Sequence, residues 1–178
     1  MEWTSWAGSW ENGWSKSGEH REIVQIGAVK LETDQFKEVE FFQMIVKPVV
    51  NPFISEYFVN LTGITQDQID QEGFSLKDAI NRFSCFIDGA QSIFSNGGDE
   101  EVFQENCDLI GISYPFKHAP FIDAHPFLLE HTGLDSASIV SSALPKLLGL
   151  PALGRSHNAL ADARSLATAL RQFNFFKN

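Results

Sequence analysis

Residues 23–47 carry two long runs of β-branched and aromatic residues, and this pair limits the fold more than any other stretch of the chain. The first is Ile23-Val24-Gln25-Ile26-Gly27-Ala28-Val29-Lys30-Leu31. The second spans about Glu38 to Lys47 and is ended by Pro48 and Pro52. Such side chains suit a pleated surface, and Thr33-Asp34-Gln35 between the runs has the chemistry of a turn. The reading is a meander of two strands at a sheet edge. Beyond it the pattern changes. Ile54–Leu61 reads as a short helix stopped by Gly63, and Thr65-Gln66-Asp67-Gln68 opens another through an N-cap pattern. Ser75 caps an amphipathic helix in which Leu76, Ala79, Ile80, Phe83, Phe86 and Ile87 recur at intervals of three and four.

Gln91–Ser95 is a short buried strand that runs into Asn96-Gly97-Gly98-Asp99, with a helix beyond it through Val102, Phe103, Cys107, Leu109 and Ile110. Phe121-Ile122-Asp123 reads as a further strand. Helices follow near Pro126–His131 and Ser138–Leu148, and a last one runs from about Leu160 to Phe173. Strands first, then alternating helices and strands, predict an α/β fold with a mixed sheet flanked by helices. At 178 residues the chain is long enough for one domain, residues 1–178, with a real core. Residues 1–20 stand apart: they hold all four tryptophans among Gly, Ser, Asn and Glu. Gly8 and Gly13 weaken any helix there, so the reading is a loop. Its aromatics either pack onto the body or stack on nucleotide bases.

Charge narrows the function. A net charge of −10 argues against tight passive binding to nucleic acid, which a basic surface would provide. It does not exclude a nucleic-acid substrate, because bound divalent cations bring their own positive charge to phosphates. The apolar runs are far shorter than the roughly 20 residues needed to span a bilayer, and no basic-then-apolar leader opens the sequence. A cytoplasmic protein is expected, with Cys85 and Cys107 as buried reduced thiols.

Three groups sit where α/β folds collect their chemistry, at strand ends and helix starts. They are Glu2 in Met1-Glu2-Trp3-Thr4, Asp99 after Gly97-Gly98, and the pair His157 and Asp162 about one helical turn apart in His157-Asn158-Ala159-Leu160-Ala161-Asp162. Each has an ordinary alternative. Asp99 can be a helix N-cap, Asp162 a first-turn acid favoured by the helix dipole, His157 a loop histidine and Glu2 a solvated acid. The pair also has a decoy of the same spacing, His118 and Asp123. His118 falls in a loop flanked by Pro115 and Pro120, so no helix presents that pair together.

Taken in order, the segments resemble the DEDDh branch of the DnaQ-like 3′–5′ exonucleases, a family of ribonuclease H-like fold. Glu2-Trp3-Thr4 matches all but the leading Asp of the family's first motif, Asp-x-Glu-x-Thr. Arg21–Val29 resembles its second strand, and Leu61-Thr62-Gly63-Ile64-Thr65 the turn that touches the 3′-terminal nucleotide. Ser95-Asn96-Gly97-Gly98-Asp99 resembles the second motif and His157–Ala163 the third. The first motif is similar to that of the RNA-trimming and sporulation-inhibitor-like subgroup.

The resemblance implies two divalent cations, Mg²⁺ or Mn²⁺, with Glu2 and Asp162 helping to hold the first and Asp99 the second. It implies that His157 takes a proton from the attacking water, so that His157 and Glu2 are catalytic. It further implies that Thr4, Leu61, Thr62 and Asn96 meet a single-stranded RNA or DNA 3′ end, and that nucleoside 5′-monophosphates are released. By the same alignment the motif's leading Asp belongs one residue before Met1, on a central first strand. The expectation is therefore a truncated or late-started form of a longer enzyme. The competing expectation is a catalytically inactive nuclease-fold module that binds nucleic acid or a partner protein.

Overall fold

Glu2–Trp3 forms a two-residue strand, β1, that pairs antiparallel with β2 (Ile23–Leu31), Glu2 opposite Gln25 and Trp3 opposite Ile23. On its other side β2 pairs antiparallel with β3 (Glu38–Ile45), from Gln25 opposite Ile45 to Leu31 opposite Glu38. The meander expected from the two apolar runs is present, its second strand two residues shorter than expected. The computed structural model describes residues 1–32 and 34–175. Thr33, expected in the turn of the meander, lies outside the described residues, while Asp34 and Gln35 turn the chain.

A single helical turn, α1 (Ser9–Asn12), interrupts the N-terminal loop between Gly8 and Gly13, both with left-handed backbone at φ 87° and 62°. Trp3, Trp10 and Trp14 form one aromatic cluster with centroids 4.9–6.2 Å apart. Trp3 packs against the core, which favours the packing role for these rings, although Trp10 stays exposed. The next helices start and stop where their caps dictate. Ser55 accepts the Phe58 amide at the head of α2 (Glu56–Thr62), and Gly63 ends it at φ 76°. Thr65 and Gln68 close a capping box on α3 (Gln66–Glu72), and Ser75 caps α4 (Leu76–Phe86).

A second sheet follows. β4 (Ile93–Ser95) pairs in parallel with β5 (Phe121–Asp123), and α5 (Asp99–Leu109) lies between them in sequence. α6 (His125–Thr132) begins with Pro126 in its first turn. The single helix expected over Ser138–Leu148 is instead two 3₁₀ turns, at 136–138 and 141–143, and one α-helical turn, α7 (Leu144–Leu147). The cause is local. Asp135 draws off the Ser138 amide, and Pro145 is tolerated only in a first helical turn because it has no amide to donate. The chain closes with α8 (Ala159–Gln172), Asn158 capping it through the Ala161 amide.

The expected mixed sheet is thus in two parts. β1 covers β2 only from Ile23 to Gln25. Farther along, the same edge of β2 faces β4 across a cavity of about 540 Å³, walled by Ile26, Ala28, Phe83 and Ile93 and reaching Met1, Asp99 and Asp162. One core cluster joins Ile26 of β2 to Leu76, Ile80 and Phe83 of α4 and to Val102 and Phe103 of α5. A second joins Leu128 and Leu144 to Leu166 and Leu170 of α8. Each such side chain contributes about 1.5–3 kcal/mol when fully buried, so the two clusters fix where α5 and α8 stand. Of the two cysteines expected to be buried, Cys107 is and Cys85 is exposed on α4. Burial pushes the Cys107 thiol up to about 11.

Candidate active site

Three elements and one loop bring four titratable groups together, and two of them, Asp99 and Asp162, line the cavity. Glu2 is carried by β1 and is 8% exposed. Asp99 is the first residue of α5, reached through Gly97, whose φ of 105° only glycine adopts readily. His157 precedes α8 in a left-handed backbone conformation, φ 55°, which costs a side-chain-bearing residue on the order of 1–2 kcal/mol. Asp162 lies in the first turn of α8.

These groups meet. His157 Nδ1 stands 3.8 Å from Glu2 Oε2, an ion-pair separation too long for a direct hydrogen bond. The facing Glu2 carboxylate, helped by Asp162, holds the imidazole above its ordinary value against burial and the nearby Arg155 charge. Asp162 is shifted much further. Burial first, and then the neighbouring Glu2 charge, push its carboxyl from 3.8 up to about 7. One of its oxygens, Oδ1, is buried without a hydrogen-bond partner. Asp99 Oδ1 accepts from the Met1 amine at 2.9 Å. Burial acts to lower that amine's pKa, but Asp99, Glu2 and Asp162 outweigh it and raise it.

Among the described residues, no three His, Cys, Asp or Glu side chains form a ready-made metal cage. The site fits a divalent cation nonetheless. Glu2, Asp99 and Asp162 all act on the one point where the Met1 nitrogen lies, and a buried Asp162 oxygen has no hydrogen-bond partner. The donors are hard oxygens, which suit Mg²⁺ or Mn²⁺ rather than zinc.

The other expected residues, Thr4, Thr62 and Asn96, make hydrogen bonds within the fold. The Thr4 hydroxyl donates to His20 O and accepts the Glu22 amide, and the residue is buried. The Thr62 hydroxyl donates to Phe58 O and accepts the Ile64 amide, closing the end of α2. Asn96 donates to Ile139 O and Ser141 Oγ and meets His125 Nδ1 at 2.8 Å. Thr4 and Thr62 are buried, whereas Asn96 and Leu61 are half-buried and Asn96 lines the cavity. The decoy separates: Asp123 accepts the Gly97 and His125 amides, while His118 lies in an exposed turn.

Two residues outside the expected set belong to the surroundings. Arg155 donates to Asn60 O, and its guanidinium lies where a side chain at Gly63 would have to go. It thereby brings the loop before His157 onto the turn after α2. Gln25 is buried in β2, and its Oε1 accepts the Ala159 amide at 2.8 Å. The signal for Gln25 was in the sequence, a lone amide between the apolar pairs Ile23-Val24 and Ile26-Gly27. Arg155 had none.

Residues 11–170 match the RNase_T family model, described as Exonuclease. Among curated proteins the chain is similar to 3'-5' exoribonuclease 1 of Rattus norvegicus, 29% identical over 154 residues, covering 82% of this chain and 45% of that one. The chain therefore spans less than half the length of that relative. Among solved structures it resembles the nuclease domain of 3'hExo, a DEDDh family member bound to rAMP. That likeness has a TM-score of 0.75 at 22% identity and covers 90% of this chain and 86% of that one. It also resembles cell-death related nuclease 4 (CRN-4), with a TM-score of 0.78 at 22% identity over 98% of this chain and 62% of that one. These likenesses assign the fold, which is ribonuclease H-like.

Proposed function

Because the chain belongs to the exonuclease family whose model it matches, we propose that it is a metal-dependent 3′–5′ exonuclease that trims single-stranded RNA from its 3′ end to nucleoside 5′-monophosphates. The observation that carries this reading is the convergence of Glu2, Asp99, Asp162 and His157 beside the cavity, with the Asp162 carboxyl raised to about 7 by burial and by the Glu2 charge. An inactive binding module has no physical use for that cluster, whose mutual repulsion costs stability unless a cation is bound.

Glu2, Asp99 and Asp162 would hold the cations. Two divalent ions would supply charge neutralisation at the phosphate and at the attacking and leaving oxygens. The protein's own work is to place and to accept. Glu2 faces the His157 imidazole and orients it. His157, with one edge open to solvent, takes the proton of the attacking water. Leu61 packs against the terminal nucleotide, and Arg155 ties its turn to the His157 loop. RNA is preferred to DNA because the curated relative similar to this chain is named an exoribonuclease.

The test is to incubate the protein with 3′-labelled single-stranded RNA and, separately, DNA, in Mg²⁺, Mn²⁺ or chelator. Metal-dependent release of mononucleotides, faster from RNA, is expected. His157→Ala should still bind Mn²⁺ and lose about 10²-fold or more of the rate, as befits a lost general base. No release from either polymer would sink the proposal.

A further inference from the structure

The third carboxylate and the histidine reach the site on a helix start that must be held at a fixed height above the strand bearing Glu2. Three observations identify what holds it. Glu2 and Gln25 are direct partners across the antiparallel pair, so their side chains leave the sheet on the same face. Gln25 is 3% exposed, and its Oε1 accepts the amide of Ala159, the first residue of α8, at 2.8 Å. A first-turn amide has no acceptor inside its own helix, so this bond answers a need that nothing in α8 can meet. Two residues on, and on the same face, Gly27 lies directly under the helix start: a Cβ there would stand 2.2 Å from Leu160 N and 2.3 Å from Ala159 C.

We infer that Gln25 is a positioning residue for the active site, setting the seat of α8 so that His157 and Asp162 stand opposite Glu2. The inference rests on the exonuclease reading for what that seat is for, but its geometry does not depend on it. Gly27 provides the room and Gln25 the lock. Asn158 caps a different amide, that of Ala161, and so cannot replace it. The link from Glu2 to His157 is therefore short: one backbone pairing, one side-chain bond, and two residues of chain.

The test uses Gln25→Met, which keeps length and removes the acceptor, and Gln25→Glu, which keeps an acceptor oxygen. Hydrogen exchange at the Ala159 amide, with Leu170 as the control for a folded α8, reads the lock directly. Titration with Mn²⁺ alone reads the site.

In Gln25→Met the Ala159 amide is expected to exchange at least about 10-fold faster while Leu170 is unchanged, Mn²⁺ affinity to fall about 10-fold, and kcat to fall similarly at constant KM. Gln25→Glu should restore both Mn²⁺ affinity and kcat to within about threefold. Unchanged exchange and Mn²⁺ affinity in Gln25→Met would overturn the inference. So would losses of Mn²⁺ affinity and kcat in Gln25→Met with exchange at Ala159 unchanged. If the unaltered protein released no nucleotide, the exonuclease reading would fail, while exchange at Ala159 would still decide the role of Gln25.

Discussion

Asp162 condenses the electrostatics of the site. Its carboxyl is lifted to about 7 by burial and by Glu2, so below that pH the metal-free folded protein favours the neutral acid, whereas the unfolded chain titrates near 3.8. A group raised on folding contributes stability at low pH and loses that contribution as pH rises through its folded value. The metal-free protein should therefore lose stability between about pH 4 and pH 7 on this account, and Mn²⁺ should return it at pH 8. Asp162→Asn removes the charge. After allowance for the partial exposure of the site, it is expected to stabilise the metal-free protein at pH 8 by on the order of 1–3 kcal/mol. It should also flatten the pH dependence and abolish the response to Mn²⁺. Thermal unfolding at pH 5 and pH 8, with and without Mn²⁺, checks all three. Equal melting temperatures for the two proteins at pH 8 would show that Asp162 is not under this stress.

At the scale of elements, the site depends on how α8 lies on β2. Gly27 adopts an ordinary strand conformation, so its lack of a side chain serves space rather than backbone freedom. Its virtual Cβ meets backbone atoms of Ala159 and Leu160, which cannot swing aside as a side-chain tip would. Gly27→Ala should push α8 off the sheet at a cost of about 2–3 kcal/mol and lower kcat together with it. Urea unfolding and initial rates on RNA measure both; wild-type values would show that α8 rises without penalty. A different clamp acts on the loop after β3. Glu22, 2% exposed, accepts the amides of Val49, Val50 and Asn51 at 2.5, 2.8 and 2.6 Å. It holds the segment that leads to the Ser55 cap of α2. The contrast with residues 138–148 is instructive. Where a helix had a cap and an apolar stripe, as α4 does, the sequence predicted it to within a residue. Where Asp135, the serines and Pro145 competed for the backbone, the single helix expected over Ser138–Leu148 broke into short turns.

For the molecule as a whole, the net charge of −10 sets how a polyanion can be bound. On the proposed reading, affinity for RNA would come through cations held at the site rather than through a basic surface. The salt dependence of KM for RNA at fixed Mg²⁺ should then be shallow, with a slope of log KM against log salt below about 2 between about 0.05 and 0.2 M. A slope above about 4 would reveal a basic track that the charge distribution does not suggest. Among the described residues no helix is long and apolar enough to cross a membrane.

The amino-acid sequence by itself determined the meander, the capped helices and the order of motifs, because β-branched runs, helical periodicity and cap residues act over a few positions along the chain. It also marked Glu2, Asp99, His157 and Asp162, through their places at strand ends and helix starts. Only the tertiary structure decided what these groups do to one another. The 3.8 Å approach of His157 to Glu2, the lift on Asp162, the engagement of Thr4, Thr62 and Asn96 within the fold, and the grip of Gln25 on α8 all join residues far apart in sequence. Such effects depend on burial and on distances across the fold, and no local pattern encodes a distance between residues 25 and 159.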